Sequence, residues 1–349
     1  MGNSPASPRL VDVAEAAGVS LATASRSLRG LTGVSDEVAA RVRKTAEEMG
    51  YLVNTHAQSL AGGTTSIVGL IVHQIDDPYF TEIAAGVVHA AESRGLIVQV
   101  AHSGRNPERE LKQLRSLAAQ RARVIIIAGS GYVDGEQEAE ARRLLSTYQR
   151  SGGRAAVIGR HRLGVDALLP DNQGAALMLA EHLVELGHRE LAIISGPETL
   201  TTVQDRLGGA VEVFARAGVR WHVVPTEFTA DGAGAAAVQA LRDWPEVTAI
   251  LALNDAMAIA VLVALRRSGI SVPGEVSVAG FDDVSVAELL YPSLTTARFP
   301  LGLMGRDALD LATRPAAVRP RRKAVPAELI VRESTSVPRS RPLRSSSRL

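Results

Sequence analysis

The chain has no cysteine in its 349 residues, which excludes a disulfide framework, thiol catalysis and cysteine-ligated zinc. Aromatic residues make up only 3%, so the core must be built from Ala, Val, Leu and Ile. No apolar run approaches the roughly 20 residues of a membrane span, and VIIIA at 124–128 has the length of a buried strand. The opening MGNSPASPRL lacks the apolar segment of a secretory signal, so a cytoplasmic location is expected. Catalytic signatures are also missing: there is no GxxxxGK(S/T) phosphate loop and no GxSxG elbow. GSGYVDG (129–135) lacks the third glycine of a dinucleotide fingerprint and reads as a turn. The eight histidines form no HExxH or other ligand cluster. No metal, no cofactor and no enzymatic activity are expected.

What is present is a globular composition, 46% hydrophobic and 21% charged, in a chain long enough for two or three domains. The net charge of +1 hides a distribution. Residues 1–62 hold six basic and six acidic groups, and residues 314–349 hold ten basic and two acidic, which leaves −7 for the middle. Bulk charge therefore does not mark the head as a nucleic-acid binder; placement has to.

Leu10 to Gly30, LVDVAEAAGVSLATASRSLRG, reads as two short helices around a tight turn. Val11, Ala14 and Ala17 fall at helical spacing, and Thr23, Ala24 and Leu28 continue it. Gly18 suits the left-handed residue that ends the first helix, and Ser20 is a good N-cap for the second. This is the helix-turn-helix arrangement, whose second helix enters a DNA major groove. Ser35 caps a third helix, in which Val38, Val42, Ala46 and Met49 form one apolar stripe over Val11, Ala14 and Leu28. THAQSLA (55–61) follows and is too short to hold a helix alone.

From Ile67 short β-rich runs alternate with helical periods. Strands are predicted at 67–73, 96–102, 123–129, 155–159, 191–195, 248–253 and 276–280. Helices are predicted near 79–94, 107–120, 136–151, 173–186, 202–217, 232–243 and 255–268. Such alternation gives parallel sheets, and these strands are too many for one sheet unit, so two lobes with a cleft are expected. Ligands in such folds sit beyond the strand C-termini. There stand His73, Tyr79, Phe80, Arg160, Asp171, Asn172, Arg206, Phe228, Asn254, Asp255, Asp282 and Asp283. Paired donors and acceptors beside aromatic faces suit a polyhydroxylated ligand, while Asp171, Asp255 and Asp283 taken singly read as caps or turn residues.

The head motif D-V-A-x-x-A-G-V-S-x-x-T-x-S-R-x-L-x-G, then V-S, then G-Y-x-x-N-x-x-A-x-x-L, resembles the LacI/GalR family of transcriptional regulators. The body matches the family's pattern too, in D-P-Y-F, L-G-H-R, D-R-L-G-G, A-L-N-D and V-P-G-E-V-S-V-A-G-F-D-D. The resemblance implies a small all-α helix-turn-helix head plus an α/β two-lobed, periplasmic-binding-protein-like core with parallel sheets. It places a head at 1–52, a hinge at 53–63 and the effector-binding and dimerisation core at 64–333. Lobe 1 is expected at about 64–162 and 293–323, and lobe 2 at about 163–292 and 324–333, with crossings near 160–165, 290–296 and 322–327.

By the same resemblance Leu21, Ala22 and Arg26 face base edges, Arg26 reaching a guanine. Ser20, Thr23, Ser25, Arg29, Ser35 and Asn54 bind phosphates, and Leu60 wedges into the minor groove. Effector contacts fall on His73, Tyr79, Phe80, Arg160, Arg206, Phe228, Asn254 and Asp282. The chain departs from the pattern at Arg9 (usually Thr or Ser), Arg29 (usually Asn) and Val53 (usually Pro).

The tail, STSVPRSRPLRSSSRL at 334–349, is Ser-, Pro- and Arg-rich without a leucine heptad, and is expected to be a disordered basic segment. The implied function is a homodimeric, ligand-responsive regulator, most simply a repressor of carbohydrate-utilisation genes on a palindromic operator. A sugar-binding transport-type protein or a non-catalytic α/β ligand sensor shares the core pattern. The transport protein should carry an export signal and no helix-turn-helix.

Overall fold

The computed structural model describes residues 8–28, 31–51, 65–227, 230–315 and 317–338. It divides into two units, Met1–Thr65 and Ser66–Leu349. The first holds α1 (Leu10–Ala16), α2 (Leu21–Leu28) and α3 (Asp36–Glu48). Their core is Val13, Ala14, Ala17, Ala24, Val42 and Ala46, flanked by Leu28, Val38 and Met49. Val11, expected inside, is exposed. The inward face of α1 follows i, i+3, i+4, i+7 through Leu10, Val13, Ala14 and Ala17, and Val11 lies off that stripe. Gly18 ends α1 at φ 66, the left-handed conformation its position demands. Arg9 offers no acceptor to cap α1; instead Asp12 Oδ2 accepts from Arg9 N at 2.7 Å, half of a capping box.

The second unit runs β1 (Ile67–Val72), α4 (Pro78–Glu92), β2 (Ile97–His102), α5 (Pro107–Ala119), β3 (Val124–Ala128), α6 (Glu136–Arg150), β4 (Arg154–Ile158) and β5 (Asp166–Pro170). It continues α7 (Asn172–Glu185), β6 (Glu190–Ser195), α8 (Thr201–Arg216), β7 (Arg220–Pro225), α9 (Ala230–Asp243), β8 (Ala249–Ala252), α10 (Asp255–Arg267) and β9 (Ser277–Ala279). Then come β10 (Thr296–Arg298), α11 (Leu301–Thr313), β11 (Arg322–Val325) and β12 (Glu328–Ile330). Lobe 1 is built on a six-stranded sheet of order β11-β5-β4-β3-β1-β2, and lobe 2 on a four-stranded sheet of order β7-β6-β8-β9. Every pairing within both is parallel. β3, VIIIA, is buried along its whole length, as a strand covered on both faces must be.

Three expectations are corrected. The first crossing between lobes lies near 170–172 rather than 160–165, because β5 pairs with β4 and stays in lobe 1. The second lies near 298–301 rather than 290–296, because β10 still pairs with β12 antiparallel while α11 packs on α4. The tail does not leave the body at 334: Ser334 is fully buried and its Oγ donates to Val278 O at 2.6 Å. Ser336 N donates to Ser277 Oγ at 3.0 Å, so this segment lies along β9.

Helix α11 is absent from the predicted elements because Gly302 and Gly305 interrupt its pattern. They are there for contact: a Cβ on Gly305 would strike the Ile83 carbonyl, and one on Gly86 of α4 would strike the Gly302 carbonyl. The two helices meet backbone to backbone.

Candidate functional site

In the head, Ala24 and Ser27 of α2 turn inward, while Leu21, Ala22 and Arg26 are exposed along one side of the helix. Ser20 Oγ caps α2, accepting from Thr23 N at 3.1 Å, and lies 2.8 Å from Thr23 Oγ1. Ser25 is half-buried, and Ser35 is exposed and accepts from Val38 N at a long 3.5 Å. Arg29, Asn54, Leu60 and Phe228 lie outside the described residues.

The cleft is formed where the strand C-termini of the two lobes face each other, and encloses about 520 Å³ counting its solvent-open mouth. His73, Tyr79, Phe80, Arg206, Asn254 and Asp282 all line it. Arg206, on α8, is its centre and is buried. Nε donates to Asn172 Oδ1 at 2.9 Å, Nη1 to Leu253 O at 2.7 Å and Nη2 to Asp282 Oδ1 at 2.6 Å. Its guanidinium also stands 4.7 Å from the Phe281 ring centroid. Asp282 reaches it through a backbone at φ 106, a region that favours glycine. Hydrogen bonds from Asp282 N to Ala297 O (2.8 Å) and from Phe299 N to Asp282 O (3.3 Å) hold that conformation. Burial pushes the Asp282 carboxyl up, and Arg206 pulls it back without cancelling the shift. Asn254 also caps α10, accepting from Met257 N at 2.8 Å.

On the lobe 1 wall Tyr79 and Phe80 meet edge to face at 4.9 Å between centroids. His73 lies flat over Gly129, whose missing side chain makes the room. Burial lowers the His73 pKa, and its Nε2 is 3.4 Å from Glu110 Oε2. Asp77 caps α4, accepting from Tyr79 N at 3.0 Å, and its Oδ2 is 3.6 Å from Arg105 Nη2. Burial, reinforced by Asp282, pushes the Asp77 carboxyl up to about 6.

Asp77, Arg105 and Asn172 also line the cleft, and the effector contacts expected from sequence do not include them. Asp77 sits within the D-P-Y-F motif, and Asn172 and Arg105 follow the ends of β5 and β2, so the strand-end rule already points at them. Asp171 caps α7 through Gly174 N at 2.9 Å. Asp255 is buried and accepts from Thr296 Oγ1 at 2.7 Å, while Asp283 pairs with Arg298 and Arg332, both at 2.6 Å.

Arg160 does not line the cleft. It spans the lobes, its Nη2 donating to Asp205 Oδ1 at 2.6 Å and its Nε to Asp205 Oδ2 at 3.0 Å. Beside it the 129–135 turn of lobe 1 docks on the start of α8. Val133 N donates to Thr199 O, Thr201 N to Gly131 O and Thr202 N to Ser130 Oγ, each at 2.9 Å. Glu138 braces that turn: Oε1 is 2.8 Å from His161 Nδ1 and Oε2 accepts from Arg162 N at 2.6 Å. Burial draws the His161 pKa down, but Glu138 more than offsets this and the net shift is upward. No group of three or more metal-ligating side chains converges among the described residues, and no described helix is long and apolar enough to cross a membrane.

A helix-turn-helix unit followed by two parallel-sheet lobes around a polar cleft defines a ligand-binding, DNA-reading class of protein. Residues 9–54 match the family of bacterial regulatory proteins of the lacI type, and residues 180–335 match the periplasmic binding protein-like domain. The chain is 31% identical over 337 residues to the HTH-type transcriptional regulator DegA of Bacillus subtilis, covering 94% of this chain and 98% of the relative. It superposes on the Lac repressor dimer bound to operator and the anti-inducer ONPF with a TM-score of 0.80 at 25% identity, over 94% and 99% of the two chains. On the transcriptional regulator CelR-cellobiose complex the TM-score is 0.66 at 30% identity, over 94% and 99%. The chain belongs to the lacI family of DNA-binding transcriptional regulators.

Proposed function

We propose that this regulator is a cytoplasmic homodimeric repressor of carbohydrate-utilisation genes, which binds a palindromic operator and answers to a sugar held in its cleft. The observation that carries this reading is the buried Arg206–Asp282–Asn172 set facing Tyr79 and Phe80, in a chain that also carries an exposed helix α2. Fixed donors and acceptors bind hydroxyls, and an aromatic face covers the C–H side of a sugar ring. The Lac repressor structure with operator and the CelR structure with cellobiose support the same pairing of partners.

On the DNA side Leu21 and Ala22 read thymine methyls and shape, having no hydrogen bonds to offer, and Arg26 reads guanine. Ser20, Thr23, Ser25, Arg29, Ser35 and Asn54 set the register on phosphates, and Leu60 opens a central base step. Exposed Ile97 and Val100 on the edge strand β2, with Leu289 and Tyr291 in lobe 2, offer apolar surface to a second copy. In the core a ligand changes the angle between lobes and so the spacing of the two heads. The coupling required is about 1–3 kcal/mol.

A mobility-shift assay of the full-length protein on palindromic sequences upstream of its gene tests this. A specific shift that survives moderate salt and changes with an added sugar is expected; the absence of any salt-resistant specific shift, with or without sugars, sinks the proposal.

A further inference from the structure

Four helices, α4, α7, α8 and α10, begin at or beside the cleft, and a helix N-terminus is a favourable place for a phosphate. All four are already occupied from within the chain. Asp77, Asp171 and Asn254 accept from Tyr79 N, Gly174 N and Met257 N at 3.0, 2.9 and 2.8 Å. At α8 the Thr201 and Thr202 amides donate to Gly131 O and Ser130 Oγ. Two of the three side-chain caps are carboxylates, so negative charge already meets those dipoles.

The two cations that line the cleft are engaged in the same way. Each of the three nitrogens of Arg206 donates to a protein acceptor, Asp282 among them. Arg105 faces Asp77 at 3.6 Å and donates to Gln74 Oε1 at 3.1 Å. His73, the remaining basic group, is buried against Glu110. Among the described residues two arginines thus stand against two aspartates, and the charge of that lining balances.

We infer that the cleft accepts an uncharged polyhydroxylated ligand and rejects its phosphorylated or carboxylated counterpart, an inference that rests on the sugar-effector reading above. A phosphate entering the cleft adds negative charge beside Asp77 and Asp282, so it must either share a guanidinium with the carboxylate already paired to it or displace that carboxylate. Either way a buried negative charge is left without a full counter-charge, which is strongly unfavourable. A hydroxyl brings no charge: it donates to a carboxylate oxygen and accepts from an N–H of Arg206, which carries five and gives three to Asn172, Leu253 and Asp282.

The test is calorimetric titration of the full-length protein at pH 7.5 with matched pairs. These are ribose and ribose 5-phosphate, glucose and glucose 6-phosphate, galactose and galactose 1-phosphate, and cellobiose with its phosphorylated form. At least one uncharged member should bind, with its phosphate weaker by about 100-fold or more, the scale of breaking one buried pair. A phosphate that binds as tightly as its parent overturns the inference while leaving the sugar reading intact. No binding by any member, with operator still bound, overturns the sugar reading and the inference with it. Asp77→Asn supplies a second arm, because asparagine keeps the helix cap but leaves Arg105 without its carboxylate. The phosphorylated partner should then gain about tenfold relative to the uncharged one; an unchanged ratio refutes charge pairing at Arg105 as the source of the selectivity.

Discussion

On the lobe 2 wall of the cleft Arg206 finds an acceptor for each of its nitrogens. In lobe 1 His73, which lines the cleft, has its Nε2 at a long 3.4 Å from Glu110 Oε2, and Ser103 Oγ and Tyr132 Oη are buried without hydrogen-bond partners among the described residues. The two walls do different work. Lobe 2 is organised by the chain's own bonds, its polar groups held by strand ends and by the constrained backbone at Asp282. Lobe 1 carries local cost, about 1–3 kcal/mol for each unsatisfied buried group. Such cost is tolerated where function needs it. The less satisfied wall has more to gain from a small shift of the lobes.

Removing one member from each wall gives the largest contrast. Arg206→Met strands the Asp282 carboxylate in the interior and should lower the unfolding free energy by about 3–5 kcal/mol. Glu110→Gln takes charge from a group whose near neighbour, His73 Nε2, stands at a long 3.4 Å, and should change stability by less than about 1 kcal/mol. Urea unfolding of the full-length variants measures both, and Asp282→Asn should recover part of the Arg206→Met loss. Equal costs on the two walls would dissolve the comparison.

The same asymmetry bears on what the sequence could reveal. Strands β1, β3 and β6 are continuous apolar runs buried along nearly their whole length, so composition alone located them. β7, RWHVVP, is an edge strand and only half-buried, and β10 to β12 are three or four residues long, so neither length nor period marked them. For the site, Arg206, Asn254 and Asp282 stood out in family-like motifs, and strand ends drew attention to His73. The carboxylate beside His73, Glu110, lies on a helix face thirty-seven positions away, and nothing in its local pattern separates it from a solvated glutamate. Long-range pairing of that kind is settled by packing, not by period.

Asp77 sharpens the comparison from the lobe 1 side through pH. Its carboxyl titrates at about 6 in the folded chain against 3.8 for an unperturbed aspartate, burial being the main cause. Because the folded pKa is the higher, the fold favours the protonated form. The associated stability is fully present below about pH 4 and is lost as pH rises through about 6. Asparagine resembles the protonated carboxyl and remains a good N-cap. Asp77→Asn should therefore match wild type near pH 4 and exceed it above pH 6.5 by on the order of 2 kcal/mol. Thermal unfolding across that range measures the difference; a gap independent of pH, or one that widens on acidification, contradicts the assignment of the penalty to Asp77.

The smallest effect is expected where the two walls are tied together. The Arg160–Asp205 pair crosses between lobes, but Arg160 is 47% exposed, so water and salt weaken it, and Arg160→Ala should cost less than about 1 kcal/mol of stability. The backbone ties beside it, Val133 N to Thr199 O and Thr201 N to Gly131 O, survive any side-chain change. What the pair can set is how readily the lobes part. With a binding sugar, stopped-flow association to Arg160→Ala should be a few-fold faster than to wild type at low salt. The two rates should converge near 1 M salt, where the screening length is about 3 Å. A slower association that salt does not correct would instead make Arg160 a direct ligand contact, reached once the cleft has opened.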